Sequence, residues 1–233
     1  MDRIGIVLAM KEELESLRKY LINEKKMTIF NLVFYEGEIA NTNCILVECG
    51  VGKVNAARTT QILIDNLKVD TIINIGVAGG IDERLNIGDI VIGERLVQHD
   101  FDLTSFGHEK GYISGIGKYI NSDQKLIELV KNAVKNEEFK NTNILEGVIA
   151  SGDIFCTEKS MAEKIHNKFD ALCVEMEGAS IAQVCYLCKI PFIVLRSISD
   201  TPNGNNEIDF NKFLNDSSEV ISKLLLKVLD NKN

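Results

Sequence analysis

Short apolar runs alternate along the chain with stretches of helical periodicity, and many of the runs end in glycine. Ile4 to Met10 reads as a buried strand, and the residues after it place Leu14, Leu17 and Leu21 on one helical face. Leu32 to Ile39 and Asn43 to Cys49 form a predicted strand pair, after which Gly50-Val51-Gly52 turns the chain into a helix with Ala56, Thr60, Leu63 and Leu67 on one stripe. Thr71 to Ile75 is a strand that ends at Gly76, and Ile87 to Leu96 is another. A helix is predicted from Asp123 to Val134, and short strands at Val148 to Ala150, Leu172 to Val174 and Phe192 to Leu195. The last two strands flank a helix from Gly178 to Leu187, and an amphipathic helix from Phe210 to Leu229 closes the pattern. Strands separated by helices predict a three-layer α/β/α fold around a twisted, mixed but mostly parallel sheet. No internal repeat interrupts this pattern.

Hydrophobic residues make up 45% of the 233 positions, enough for a substantial core, and the 2 prolines and 17 glycines gather into no linker. One domain over residues 1–233 is expected. The net charge of −8, with no block of Lys or Arg, argues against nucleic acid or an anionic membrane as a partner. Met1 to Ile4 opens no signal-peptide pattern, and the apolar runs fall short of the roughly 20 residues that span a bilayer, so a soluble cytoplasmic protein is expected. Cys44, Cys49, Cys156, Cys173, Cys185 and Cys188 read as small buried thiols. Cys185 and Cys188 fall on a predicted helix with only three histidines in the chain, so neither a disulfide nor a zinc site is expected.

In an open α/β sheet ligands bind beyond the carboxyl ends of the strands, so acidic residues just past apolar runs are the first to consider. Four strand ends stand out: Ala9-Met10-Lys11-Glu12-Glu13, Gly76-Val77-Ala78-Gly79-Gly80, Val174-Glu175-Met176-Glu177-Gly178 and Arg196-Ser197-Ile198-Ser199-Asp200. Each has an ordinary explanation. Glu12, Glu13 and Glu177 suit the first turn of a helix, Asp200 suits a cap or turn, and Gly76 to Gly80 suits a glycine-rich turn that matches neither phosphate-loop nor dinucleotide patterns. Taken singly, none assigns a function.

Their conjunction resembles the methylthioadenosine/S-adenosylhomocysteine nucleosidases, within the wider nucleoside phosphorylase fold. The matching pieces run in order over most of the chain. They are Ile4-Gly5-Ile6 through Ala9-Met10-x-x-Glu13, Gly50 to Ala57, Ile73-Asn74-x-Gly76-x-Ala78-Gly79-Gly80 and Gly88-Asp89-Ile90-Val91. His99-Asp100-x-Asp102-x-Thr104-x-Phe106-Gly107, Ser151-Gly152-Asp153-x-Phe155, Val174 to Glu177 and Arg196-x-Ile198-Ser199-Asp200 complete the set.

The resemblance implies hydrolysis of the N-glycosidic bond of methylthioadenosine and S-adenosylhomocysteine, with 5′-deoxyadenosine as a further substrate and no cofactor. Asp200 is implied as the acid at adenine N7, for which it must hold a proton near neutral pH, as burial or a neighbouring carboxylate favours. Glu13 is implied as the base for the attacking water, and Glu177 as acceptor of the 2′- and 3′-hydroxyls. Glu12 and Glu175 serve as controls, since one residue along a turn or two along a strand changes what the carboxylate can reach. Met176, beside Val174, is implied under the ribose, Phe155 against adenine with the Cys156 backbone at its polar edge, and Arg196 and Ser199 as supports for the carboxylates. Met10, Val51 and Phe210 match the 5′-alkylthio pocket, which a second subunit of a homodimer completes, here with Phe106, His108 and Ser114. One departure stands out: many relatives carry serine at the position of Val77, so a hydroxyl near ribose and water is absent. A purine nucleoside phosphorylase would need cations or hydroxyls for phosphate, and finds Glu12 and Glu13 instead. Futalosine-type nucleosides are a neighbouring substrate class. A non-catalytic nucleoside sensor would have no need of the acid and base pair.

Overall fold

The structure, a computed structural model, describes residues 2–201 and 206–232, the latter with side chains from Phe210 onward. The first strand, β1 (Ile4–Leu8), is buried throughout and sends Ile4, Ile6 and Leu8 to one face of the sheet and Val7 to the other. Apolar groups on both faces are what a central strand between two layers requires. Helix α1 (Lys11–Arg18) buries Leu14 and Leu17 but stops before Leu21. Residues beyond it form a strand that the apolar pattern does not predict, β2 (Ile22–Ile29), paired antiparallel with β3 (Leu32–Ile39). It is an edge strand, mostly exposed, with Lys25 and Lys26 of the kind that discourage pairing with another chain; with neither face buried it carries no alternation to read.

Strand β4 (Thr42–Glu48) lies parallel to β1 and leads through the Gly50–Gly52 turn into α2 (Lys53–Asp65). On the other side of β1 runs β5 (Thr71–Gly80), longer than predicted. There follow β6 (Ile90–Gln98), the two-residue β7 (Ile120–Asn121), α3 (Gln124–Ala133), β8 (Ile144–Ser151), α4 (Lys159–Phe169), β9 (Ala171–Glu175), α5 (Gly178–Cys188), β10 (Phe192–Asp200) and α6 (Asn206–Asp230). Helix α4 also stands where no element is predicted, although Ala162, Ile165 and Phe169 bury one helical face. Five cysteines are buried and Cys188 is half-buried. Among the described residues no helix is long and apolar enough to cross a membrane.

Helices α2 and α5 cover one face of the sheet, packing Ala56, Leu63, Ile181 and Cys185 on it; α1, α3 and α6 cover the other with Leu17, Ile127, Val130, Leu224 and Leu225. Parallel pairings join β4, β1, β5 and β10, and also β6, β8 and β9. Antiparallel pairings add the β2–β3 flank and tie β10 to β6. The sheet then curls back on itself, because β9 pairs with the end of β5 through Gly79↔Val174 and Gly80↔Cys173. That closure brings the carboxyl ends of β1, β5, β9 and β10 together. It also corrects the reading of Gly76 to Gly80 as a turn: these residues are strand, Gly76 to Gly79 opposite Arg196 to Asp200 of β10 and Gly80 opposite Cys173 of β9.

Candidate active site

Glu13 is the third residue of α1, and its carboxylate reaches back over the helix start. One oxygen accepts the backbone N–H of Ala9 at 2.8 Å and Met10 at 3.0 Å; the other accepts the N–H of Val77 at 3.0 Å. The side chain therefore caps its own helix and staples it to β5, while remaining in the cavity wall. The first-turn role expected of this carboxylate and its place facing the cavity are compatible in one side chain. Gly76 makes room for it: a Cβ there would lie 2.6 Å from the Glu13 Oε1. Glu12, the next carboxylate, is exposed.

At the end of β9 two glutamates point to different places. Glu177 is buried, and its Oε1 accepts the N–H of Gly52 at 2.7 Å. Glu175 reaches a different set of partners. It is 8% exposed, bonds to the Ser151 hydroxyl and the Arg196 guanidinium, and accepts the N–H groups of Glu177 at 3.1 Å and Gly178 at 2.7 Å. It thereby caps α5 and sets the direction from which Glu177 enters the site. Arg196 is fully buried behind the wall, where it also donates to Asn74 Oδ1 at 2.5 Å and to its neighbour's carbonyl, that of Leu195, at 3.0 Å.

Asp200 ends β10 after a bulge. Ile198 pairs with Ala78 and Asp200 with Gly79, so Ser199 is the extra residue. The bulge breaks the alternation and lets Ser199 and Asp200 both line the cavity, joined by a hydrogen bond from the Ser199 hydroxyl to the Asp200 carboxylate at 2.8 Å. Gly79 again leaves the space, since a Cβ there would lie 3.2 Å from Asp200 Oδ2.

These elements enclose a cavity of about 420 Å³, within the range of small-molecule sites. Met10, Glu13, Val51, Val77, Phe155, Val174, Met176, Glu177, Ser199, Asp200 and Phe210 all line it, and Cys156 lines a small recess beside Phe155 and Asp200. Phe155 meets Phe210 edge to face, with ring centroids 5.7 Å apart. Arg196 and Phe106 line neither: Arg196 lies behind the cavity wall, and Phe106 is 79% exposed. His108, near it, stacks on Tyr112. A larger groove of about 790 Å³ lies against α4 and the end of β5, but Glu83, Lys159 and Glu163 on its walls are exposed side chains, and its buried carboxylate, Asp82, is engaged by the Arg84 guanidinium at 2.8 Å and 2.6 Å. Among the described residues no three His, Cys, Asp or Glu side chains gather as a metal site needs.

The phosphorylase superfamily model matches residues 3–230. The chain belongs to that superfamily. Within it, the chain is 39% identical over 228 residues to the 5′-methylthioadenosine/S-adenosylhomocysteine nucleosidase of Bacillus subtilis, covering 97% of this chain and 98% of the relative. The crystal structure of the Neisseria meningitidis nucleosidase of the same name, in complex with methylthio-immucillin-A, is similar with a TM-score of 0.95 at 34% identity, covering 99% of both chains. The futalosine hydrolase of Helicobacter pylori is similar with a TM-score of 0.93 at 34% identity, covering 98% of this chain and 97% of that one.

The electrostatics of this superfamily member follow from how many carboxylates share one cation. Glu13, Glu175 and Glu177 all interact with Arg196, and Glu175 holds it directly. Burial raises the pKa of Glu13 above the ordinary carboxylate value, against the opposing pull of Arg196 and of the three backbone N–H groups. Burial, then the charge of Glu175, pushes Glu177 up to about 8, although the Gly52 N–H and Arg196 oppose this. The cavity is thus short of positive charge, an environment that favours a ligand whose reacting carbon becomes cationic.

Proposed function

We propose that the chain hydrolyses the N-glycosidic bond of 5′-methylthioadenosine and S-adenosylhomocysteine, with 5′-deoxyadenosine as a further substrate, and releases adenine. The observation that carries this reading is the convergence of Glu13, Glu177 and Asp200, from three separate strand ends, on one cavity with apolar walls. Breaking the bond puts positive charge on the sugar and negative charge on the leaving base. Asp200 delivers a proton to N7, so that adenine leaves neutral. Glu13 takes a proton from the attacking water, and its anion offsets the sugar cation, which in turn favours ionisation of a carboxyl that burial disfavours. Glu177 meets the 2′- and 3′-hydroxyls, Met176 packs under the ribose, and Phe155 stacks on adenine with the Cys156 backbone at the base's edge. Met10, Val51 and Phe210 receive the 5′-thio group.

Water rather than phosphate fits as nucleophile. The buried cation beside the site, Arg196, is already engaged by Glu175 and Asn74, and Glu13 repels an anion where the nucleophile must sit. Val77 contributes a backbone N–H to Glu13 and an apolar side chain to the wall, so it offers phosphate no side-chain donor. Phe106 is assigned to a partner subunit's pocket in a homodimer. The decisive experiment is adenine release from both nucleosides in phosphate-free buffer, with the sugar product identified. The expected result is free 5-thioribose products. Turnover that required phosphate and yielded a ribose 1-phosphate would overturn the reading, and a futalosine-type nucleoside as the sole substrate would move it to the class of the Helicobacter pylori relative.

A further inference from the structure

The turn that follows β4 uses two successive backbone amides for two different purposes. Gly52 donates its N–H to Glu177, whereas Lys53 donates its N–H to Asp153 Oδ1 at 2.8 Å. Asp153 stands two residues before Phe155, in a segment with neither helix nor strand to hold it. Its own N–H goes to Asp100 Oδ2 at 2.9 Å, just past the end of β6. Asp100 Oδ1 accepts the Lys53 ammonium at 2.6 Å, which closes a ring of contacts among three segments far apart in sequence. The ammonium also donates to Gln98 Oε1 at 3.2 Å, and the Gln98 amide is anchored on α5 through Gln183 at 2.6 Å.

The Lys53 and Asp100 side chains are 16% and 20% exposed, so solvent screens their attraction less than that of an open surface pair. Gly52 is required where the ring is tightest: its φ is +100°, and a Cβ would lie 3.2 Å from Asp153 Oδ1. None of Lys53, Asp100 and Asp153 lines the cavity. What they hold does: the Gly52 contact to Glu177 on one side and the segment carrying Phe155 on the other. Phe155 is 44% exposed, too open for packing alone to fix its ring.

We propose that Lys53, Asp100 and Asp153 form a clasp that positions the base-stacking segment against the sugar-contacting turn, which makes them positioning residues for nucleoside binding. The inference rests on the nucleosidase reading, since it assigns adenine to Phe155 and ribose to Glu177. Glu13 and Asp200 are held by α1, β5 and β10 without help from the clasp. Opening it therefore weakens binding and leaves the chemical step nearly intact.

The test uses Lys53→Met, Asp100→Asn and Asp153→Ala in the full chain, with steady-state kinetics on methylthioadenosine and thermal unfolding of each variant. Each single change is expected to raise KM roughly tenfold, the scale of one partly shielded ion pair, with kcat within about threefold of the parent. The Lys53→Met/Asp100→Asn double variant should cost less than the sum of the two single ones, because both remove the Lys53–Asp100 contact. Asp153→Asn, which keeps an acceptor for the Lys53 N–H, should recover part of the loss. Unchanged KM in all three variants, or kcat falling in step with unfolding temperature while KM stays put, would overturn the clasp. Wild-type turnover judges the nucleosidase reading separately; without it, the same variants compared by calorimetry with adenine as probe still judge the clasp.

Discussion

Glu13 and Asp200 have different tasks in the proposed reaction, and their amides fail differently. Glu13→Gln keeps the shape but removes the base and the anion that faces the sugar cation; Asp200→Asn cannot deliver a proton. Each is expected to lower kcat by about 10³-fold or more in single-turnover adenine release, with binding of a non-hydrolysable substrate analogue far less affected. Exposed Glu12→Gln is the control: if it were the inactive variant and Glu13→Gln near normal, the placement of the base would be wrong. Glu175 is given no step in the proposed reaction, yet it bonds to a fully buried Arg196. Glu175→Gln should cost roughly 3–5 kcal/mol in denaturant unfolding, because it removes the carboxylate bonded directly to a guanidinium in a dry environment. Glu177 gives a pH test. With its pKa raised from 4.5 to about 8, the folded chain keeps a proton that the unfolded chain loses between those values. Its contribution to stability is therefore full below 4.5 and declines as pH rises towards 8. Thermal midpoints measured across that window should fall with rising pH, and less steeply in Glu177→Gln.

Among the elements, β5 and β10 do the most to shape the site. Their parallel register sets Gly76 opposite Arg196 and Gly79 opposite Asp200, so small residues on one strand make space for long polar ones at the other and at α1. Gly76→Ala puts a methyl 2.6 Å from the Glu13 oxygen, and either the carboxylate or the strand must shift. A displacement of that order is expected to lower kcat about 10²-fold while the fold survives, measured as single-turnover rate beside a circular dichroism spectrum. Retained full activity would mean that Glu13 does not need its hydrogen bond to Val77. The glycines were readable in the sequence as a motif, but as a turn. Local composition cannot distinguish a glycine that bends the chain from one that yields volume to a side chain arriving from elsewhere.

For the whole molecule, the open question is what covers the exposed apolar side chains. Phe106 is 79% exposed and Val54 78%, while Val51 and Phe155, at the cavity itself, are 48% and 44% exposed. Exposed aromatic and aliphatic groups of this size at a ligand site suit a partner surface. The expected assembly is a homodimer of about twice the 26.0 kDa chain mass by light scattering, in which Phe106 closes the partner's 5′ pocket. Phe106→Ser should raise KM for methylthioadenosine roughly tenfold, as the loss of one apolar contact does. A fully active monomer at assay concentration would sink this assembly.

By itself the sequence determined the α/β character of the fold, because buried central strands and two-sided helix cover leave strong periodic signals in residues such as Ile4 to Leu8 and Leu224 to Val228. It also determined the acidic strand ends at Glu13, Glu177 and Asp200, since those residues sit where apolar runs stop. Edge strand β2 left no such signal, and α4, as long as α5, left only Ala162, Ile165 and Phe169 among mostly charged and polar neighbours. Only the tertiary structure decided that β9 closes onto β5, that a bulge at Ser199 turns Asp200 inward, and that Glu175 belongs to Arg196 rather than to solvent. Only there do Lys53, Asp100 and Asp153 become neighbours. Periodicity records whether a side chain faces core or water, but a buried polar group is set by its partners, and those partners lie far along the chain, 122 residues away for Arg196 and Asn74, joined through packing that no local pattern encodes.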